Sequence, residues 1–388
     1  MLDFKTACLS DILSHKTMYY DEIDFSIVKK SWDILSKYIK IPFIIHIVGT
    51  NGKGSTGRFL AHYLHKKSFK VLHYSSPHIL KFNERIWING KDSLDFELNY
   101  ASRKIQKYLP LYLLEKLTYF EYTTLLALVL SDGLDYLVLE AGLGGEFDAT
   151  NVVPADISLI TTIGLDHQNF LGNSIKEIAK TKMRAADKKM FIGYQVFDEV
   201  YDVAKEVKKE LKEEFDRDIL IKKVENFEES NLNKKFPLFL RRNLHLVIET
   251  LKELGIEIDE KLFDDVKLFG RCQKIASNIT VDVGHNPLAA QVLLKEFENK
   301  KVSLIYNSYK DKDYKEVLKI LKPIISEIRI IDLDDKRVVD KNNLLDICNK
   351  LNIIINTNNE ISDDKEYLVF GSFLVVEKFL KDLSFDEK

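Results

Sequence analysis

A chain of 388 residues, 45% hydrophobic and 30% charged, is long enough for two globular domains and has neither a fibrous nor a disordered composition. Its formal net charge of −3 supplies no basic field for nucleic acid. Its three cysteines, Cys8, Cys272 and Cys348, are too scattered for a disulfide framework or a zinc knuckle and point to a reducing compartment.

The first forty residues read as helical, with Phe4, Tyr19, Tyr20, Phe25 and Trp32 available for packing; with acidic Asp3 and Asp11 and no apolar h-region, no signal peptide is expected. The apolar run Phe43–Val48 then reads as a buried strand. It ends in the loop Gly49-Thr50-Asn51-Gly52-Lys53-Gly54-Ser55-Thr56, and a helical pattern follows with Phe59, Leu60, Tyr63 and Leu64 on one side. Strand, glycine loop and helix make a phosphate site, because loop N–H groups and the helix N-terminus both face an anion. Lys53 would hold phosphate oxygens, and Ser55 or Thr56 could hold a magnesium ion. The spacing is tighter than that of the Walker A loop, which argues against a kinase or motor ATPase.

Further strands are expected at Lys70–Ser75, Tyr136–Leu139, Ile157–Ile163 and Lys189–Gly193, with a turn at Asn89-Gly90. Helices are expected at Leu94–Leu109, Thr118–Leu130, from Ile175 to Lys182 and at Leu240–Leu254. The charged stretch Asp198–Arg217 reads as a solvated helix face. A boundary is expected at Phe269–Arg271. Beyond it strands at Ile279–Val283, Val302–Tyr306, Ile328–Ile331, Ile353–Asn356 and Tyr367–Phe370 alternate with helices at Pro287–Phe297, Tyr314–Leu321, Leu344–Leu351 and the C-terminus. This alternation predicts an α/β protein of two domains, 1–268 and 269–388: a P-loop-type parallel sheet with flanking helices, then a smaller Rossmann-like domain. No stretch reaches the roughly 18 uncharged apolar residues that a membrane span needs. The expectation is a cytoplasmic monomer that binds neither nucleic acid nor membrane.

Polar clusters stand where the apolar strands stop: the phosphate loop, Ser76-Pro77-His78, Glu140 with its glycine loop Ala141–Asn151, and Asp166-His167. In open α/β sheets, ligands bind beyond the carboxyl ends of the strands, so these clusters are expected to converge. A carboxylate, a hydroxyl and an imidazole beside bound phosphates make a plausible magnesium site.

The segments IHIVGTNGKGST, SSPHILKFNERIWING, TYFEYTT, LEAGLGGEFDATNVV, ITTIGLDH and DVGHNP occur in the order seen in bacterial dihydrofolate synthases and folylpolyglutamate synthases. The chain thus resembles that branch of the Mur ligase superfamily from about Ile41 to Pro287. The resemblance implies a ligase that uses ATP to convert a carboxylate to an acyl phosphate, which the amine of L-glutamate then attacks. The acceptor would be dihydropteroate, the γ-carboxylate of tetrahydrofolate polyglutamates, or both.

By the same resemblance, Gly49, Asn51, Gly52, Lys53, Gly54, Ser55 and Thr56 would hold ATP, joined across a closing cleft by Asn243, Arg271, Asp282 and His285. Ser55, Ser76, Glu140 and His167 would surround two magnesium ions, with Lys182 acting as a carbamate. Lys53, Glu140, His167 and Lys182 form the catalytic set. Arg85, Thr118, Tyr119, Phe120, Glu121, Phe147, Asp148 and Ala149 would contact the pteridine and pteroate, Asp148 as the main polar contact. Two departures stand out. Glu146 occupies a position usually held by Arg, and Lys182 sits in Thr-Lys-Met-Arg rather than Glu-Lys-Ala-Gly. They keep open an amide ligase for another carboxylate and a catalytically weak nucleotide-binding protein.

Overall fold

Five of the six residues of Phe43–Val48 are buried, so the strand reads as continuous apolar sequence rather than an alternation. This is β1 of a computed structural model describing residues 2–17, 24–224, 234–358 and 360–385. Tyr19 and Tyr20 lie outside the described residues. The chain forms two compact units: one takes in the described residues up to Val224 together with Leu240–Val266, the other Lys234–Phe239 together with the described residues from Lys267 onward.

In the first unit β1 is followed by β2 (Val71–Tyr74), β3 (Ile86–Ile88), β4 (Lys91–Asp92), β5 (Tyr136–Glu140), β6 (Ile157–Ile160), β7 (Lys189–Ile192) and β8 (Leu220–Lys223). They form one sheet in the order β4-β3-β2-β5-β1-β6-β7-β8. All neighbours pair in parallel except β2 with β3 and β3 with β4. The Asn89-Gly90 turn joins β3 to β4 with φ of 47° and 99°, the double positive φ that the right-handed twist of a two-residue hairpin requires.

Helix Lys53–Lys66 packs Phe59, Leu60, Tyr63 and Leu64 inward, all fully buried. Each contributes roughly 1.5–3 kcal/mol by the area it removes from water. Helix Tyr119–Leu130 starts at a capping box in which Thr118 and Glu121 satisfy each other's backbone N–H groups. Leu125, Leu126, Leu128 and Val129 of that helix join the core with Leu137 and Leu139 of β5.

The second unit carries a five-stranded sheet of β9 (Gln273–Ala276), β10 (Ile279–Asp282), β11 (Val302–Tyr306), β12 (Ile325–Ile330) and β13 (Tyr367–Phe370), ordered β12-β11-β13-β10-β9. Only β9 runs antiparallel to its neighbour.

The expected strand Ile353–Asn356 reduces to one bridge between Ile355 and Ile328. Strands β8 and β9 were not expected; their partly exposed residues show no apolar run. The short helices Leu111–Lys116 and Gln168–Leu171 were also unanticipated. The charged stretch forms helix Glu199–Phe215, which is solvated on one face only. Val200, Val203, Ala204, Val207 and Leu211 are buried at 3.6-residue spacing, and the charged side pairs with helix Ile175–Met183.

Candidate active site

Parallel pairing of β2, β5, β1 and β6 brings their carboxyl ends to one sheet edge, so the phosphate loop, Ser76, Glu140 and the segment leading to His167 share it. The phosphate loop leans on β6. The N–H groups of Thr50 and Asn51 both donate to Thr162 O, at 3.0 and 3.1 Å. Thr50 Oγ1 exchanges bonds with Gly164, both 3.0 Å. Gly49 has φ 154°, and a Cβ there would meet Thr161 Oγ1 at 1.9 Å, so only glycine fits. Lys53 Nζ donates to the carbonyls of Gly49 and Thr50 at 3.2 and 3.4 Å, which holds the ammonium over the loop.

Asn243 was expected across a cleft with Arg271, Asp282 and His285. Instead it belongs to the phosphate-loop unit and seats Ser55. Its Nδ2 donates to Ser55 Oγ at 2.9 Å, and Ser55 Oγ donates to Gly52 O at 3.1 Å. The reason is helix Leu238–Glu253, which returns to the first unit. Gly52 (φ 91°) leaves room for the Asn243 amide, which a Cβ would approach to 2.7 Å.

Glu140 is 4% exposed, and its Oε2 accepts the Ser76 N–H at 3.4 Å, linking the ends of β5 and β2. The Ser76–Pro77 bond is cis. His167 adopts a left-handed conformation, φ 51°, and its side chain is 39% exposed beside the nearly buried Asp166 carboxylate. Asp166 Oδ1 accepts the His167 N–H at 2.9 Å.

Lys182 is buried among charges. Burial, with Lys53 nearby, pulls its pKa from 10.5 down to about 7, against the opposing pull of Asp166 and Asp148. The amine therefore gives up its proton more readily than an exposed lysine, and the neutral amine is the form that reacts with carbon dioxide to give a carbamate. Asp166 is the group in this set that the sequence reading did not select, although its place at a strand end before His167 marked it.

The structure gives Asp148 a loop-building role. Its Oδ2 accepts the Leu143 N–H at 2.7 Å, and Oδ1 accepts the N–H and hydroxyl of Thr150 at 3.0 and 2.6 Å. Burial raises its pKa. Thr118 and Glu121 are engaged in their capping box, with Glu121 Oε2 accepting the Thr118 N–H and hydroxyl at 2.8 and 2.9 Å. Arg85, by contrast, joins an aromatic cluster. Its Nε donates to His78 Nδ1 at 2.9 Å and its guanidinium lies 5.3 Å from the Tyr119 ring. Phe82 stands edge-on to both Tyr119 and His78. The Phe120 ring lies against Gly142 of the glycine loop, where a Cβ would come within 2.6 Å. Phe147 is 58% exposed, and Ala149 is buried.

Glu146 does not present a bare negative charge. Arg184 Nε donates to its Oε2 at 2.7 Å. The unusual Arg184 after Lys182 thus compensates the unusual Glu146.

In the second unit, Asp282 Oδ1 accepts the Gly284 N–H at 2.7 Å and Oδ2 the Cys272 N–H at 2.8 Å, bracing the turn that carries Arg271. The Arg271 guanidinium lies 5.1 Å from the Phe373 ring. His285 Nδ1 lies 3.3 Å from Val283 O.

The donor set fits a hard cation that arrives with phosphates. Ser55 and Glu140 supply oxygens, and the hydroxyl of buried Thr56 has no protein partner. Among the described residues no three His, Cys, Asp or Glu side chains cluster tightly enough to hold a metal unaided.

A model of the Mur ligase middle domain matches residues 47–237. Dihydrofolate synthase/folylpolyglutamate synthase of Buchnera aphidicola (Baizongia pistaciae) is 32% identical over 92% of this chain and 90% of its own. The chain belongs to this family. The Haemophilus influenzae enzyme of the same name is 32% identical over 96% of this chain and 97% of its own. Helicobacter pylori folylpolyglutamate synthetase superposes with TM-score 0.75 at 35% identity, covering 97% of this chain and 98% of that one. E. coli FolC, solved with DHPP and ADP, gives 0.83 at 25% identity, covering 98% of each chain. A bifunctional relative, 25% identical with TM-score 0.80 over 98% of this chain and 99% of its own, was solved with Mn, AMPPNP and L-glutamate. The chain is an ATP-dependent glutamate ligase whose family works with a divalent cation. No described helix is long and apolar enough to cross a membrane.

Proposed function

We propose that this ligase joins L-glutamate to dihydropteroate and also to the γ-carboxylate of reduced folate polyglutamates, as a cytoplasmic monomer using ATP and magnesium at two sites. The observation that carries the reading is the shared sheet edge. Lys53, Ser55, Ser76 and Glu140 stand there, and Phe120 of the aromatic segment lies against the glycine loop that follows Glu140.

The loop from Gly49 to Thr56 turns the N–H groups of Gly52, Lys53 and Gly54 towards the ATP phosphates, with Gly49 and Asn51 holding the turn on the Thr162 side and Ser55 and Thr56 adding their hydroxyls. Lys53 turns from its long carbonyl contacts to the transferring phosphoryl group. Ser55, Ser76, Glu140, His167 and a Lys182 carbamate would hold magnesium, which would neutralise phosphate charge. Asn243 fixes Ser55, and Arg271, Asp282 and His285 serve the nucleotide from the second domain, 269–388. Arg85 attracts the anionic end of the acceptor, while Tyr119, Phe120 and Phe147 offer faces for its rings. Thr118, Glu121, Asp148 and Ala149 hold those contacts in place. Positioning of the acyl phosphate and exclusion of water then let the glutamate amine compete with hydrolysis.

The test is incubation with ATP, magnesium, L-glutamate and either dihydropteroate or tetrahydrofolate, following phosphate release and product mass. A mass gain of one glutamate on both acceptors is expected. Glutamate-dependent phosphate release with neither acceptor sinks the reading, and release with one alone removes the dual activity.

A further inference from the structure

The glycine loop is fastened to the Lys182 helix by an ion cluster that the ligase chemistry does not itself call for. Arg184 is the hub. Its Nε donates to Glu146 at 2.7 Å, Nη2 to Glu214 at 2.7 Å and Nη1 to Glu210 at 3.2 Å. Glu210 also accepts Lys180 Nζ at 2.6 Å. The Arg184 and Glu146 side chains are 11% and 19% exposed, so solvent and salt screen this contact far less than a surface pair.

Backbone contacts bracket the same point. The Glu146 N–H donates to Thr181 O at 3.1 Å. Asn151 Nδ2 donates to Glu146 O at 2.8 Å. Gly145 approaches Lys182 so closely that a Cβ would lie 2.5 Å from Lys182 O. Glu146 therefore touches the residue before Lys182 through its main chain and a residue just beyond it through its carboxylate.

We propose that Glu146 and Arg184 form a clasp that positions Lys182 beneath the glycine loop, anchored from behind by Glu210 and Glu214. They are positioning residues, and the inference rests on the ligase reading for what Lys182 does. The cluster makes the clasp asymmetric. Loss of Arg184 takes the shared cation from Glu146 and Glu214 and leaves Glu210 with Lys180 alone, whereas loss of the Glu146 charge leaves Arg184 still paired with the other two. A fork that binds several carboxylates at once suits arginine and not lysine.

The experiment compares R184Q, E146Q and R184K with the wild type, in steady-state kinetics and in hydrogen exchange of residues 142–151 and 181–185. The expected result for R184Q is a kcat lower by roughly 10–100-fold, the range that small misplacement of a reacting group produces. Its KM for ATP and for dihydropteroate should stay within about twofold. Exchange should accelerate in those two segments while the sheet core stays protected. E146Q should follow in the same direction with a smaller effect, and R184K should fall between R184Q and the wild type. Unchanged kcat with unchanged loop exchange overturns the clasp. So does a raised dihydropteroate KM at constant kcat, which would make Glu146 a substrate contact, and so does faster exchange throughout the protein. If the wild type forms no product with either acceptor, the ligase reading fails, and loop exchange alone decides whether the clasp exists.

Discussion

The loops after β1 and β5 leave neighbouring strands at the same sheet edge, yet they are held by opposite means. The phosphate loop rests largely on main-chain groups, with uncharged side chains adding to them: the Thr162 carbonyl takes two of its N–H groups, Gly49 and Gly52 adopt conformations that side chains would obstruct, and the Thr50 hydroxyl and Asn243 amide complete the support. Its one cation is directed at its own carbonyls and is available to a ligand. The glycine loop is instead built on side chains, with Asp148 accepting three bonds inside it and Arg184 reaching Glu146 from a helix. The first loop thus separates chemistry from folding, and the second joins them.

Substitution at Lys53 tests that separation most strongly. Lys53→Ala should reduce kcat by about 10²–10³-fold, the cost of removing one preorganised donor to developing charge. Its denaturation midpoint should match the wild type; a large loss of stability would break the contrast. Asp148→Ala should act through the fold, taking the acceptor from the buried N–H and hydroxyl of Thr150 and from the half-buried Leu143 N–H. A loss of about 2–4 kcal/mol is expected from chemical denaturation, and an unchanged midpoint would show that the loop does not need its internal acceptor.

In its unmodified form, studied in buffer freed of carbon dioxide, Lys182 gives a pH signature. Its folded pKa, about 7, lies below the ordinary 10.5. The penalty for burying it charged is therefore absent above the unfolded value, grows as pH falls from 10.5 towards 7, and is constant below that. Lys182→Met should gain stability over the wild type across this window, measured as the difference in unfolding free energy at several pH values. A pH-independent difference would contradict the burial of an uncompensated amine. The smallest effect belongs to Lys176→Ala. This surface pair with Glu206, 2.9 Å apart and half exposed on both sides, should change stability by less than about 0.5 kcal/mol.

The same contrast explains what could be read from the sequence. The phosphate loop, its strand and its helix were legible because backbone requirements leave a local record: glycines at fixed spacing after an apolar run. The strand ends bearing Ser76 and Glu140 were legible for the same reason, since polar residues interrupt buried strands there. The glycine loop could be located but not understood. Asp148 was read as a polar substrate contact, and nothing local shows that Leu143 and Thr150 also draw on its oxygens. Glu146 looked like a reversed charge because its partner lies 38 residues away. Asn243 was placed on the wrong side for a related reason: the helix carrying it returns to the first unit, a matter of topology that local spacing does not encode.

That return has a consequence at Ser55. Its hydroxyl gives its proton to Gly52 O and receives one from Asn243 Nδ2. A free serine hydroxyl is a rotor that can present either a hydrogen or an electron pair. Here the rotor is stopped, its hydrogen is spoken for, and what remains is a single lone pair. Whatever approaches this oxygen meets an acceptor of fixed polarity and direction, so the preference for a positively charged visitor is set before any ligand arrives.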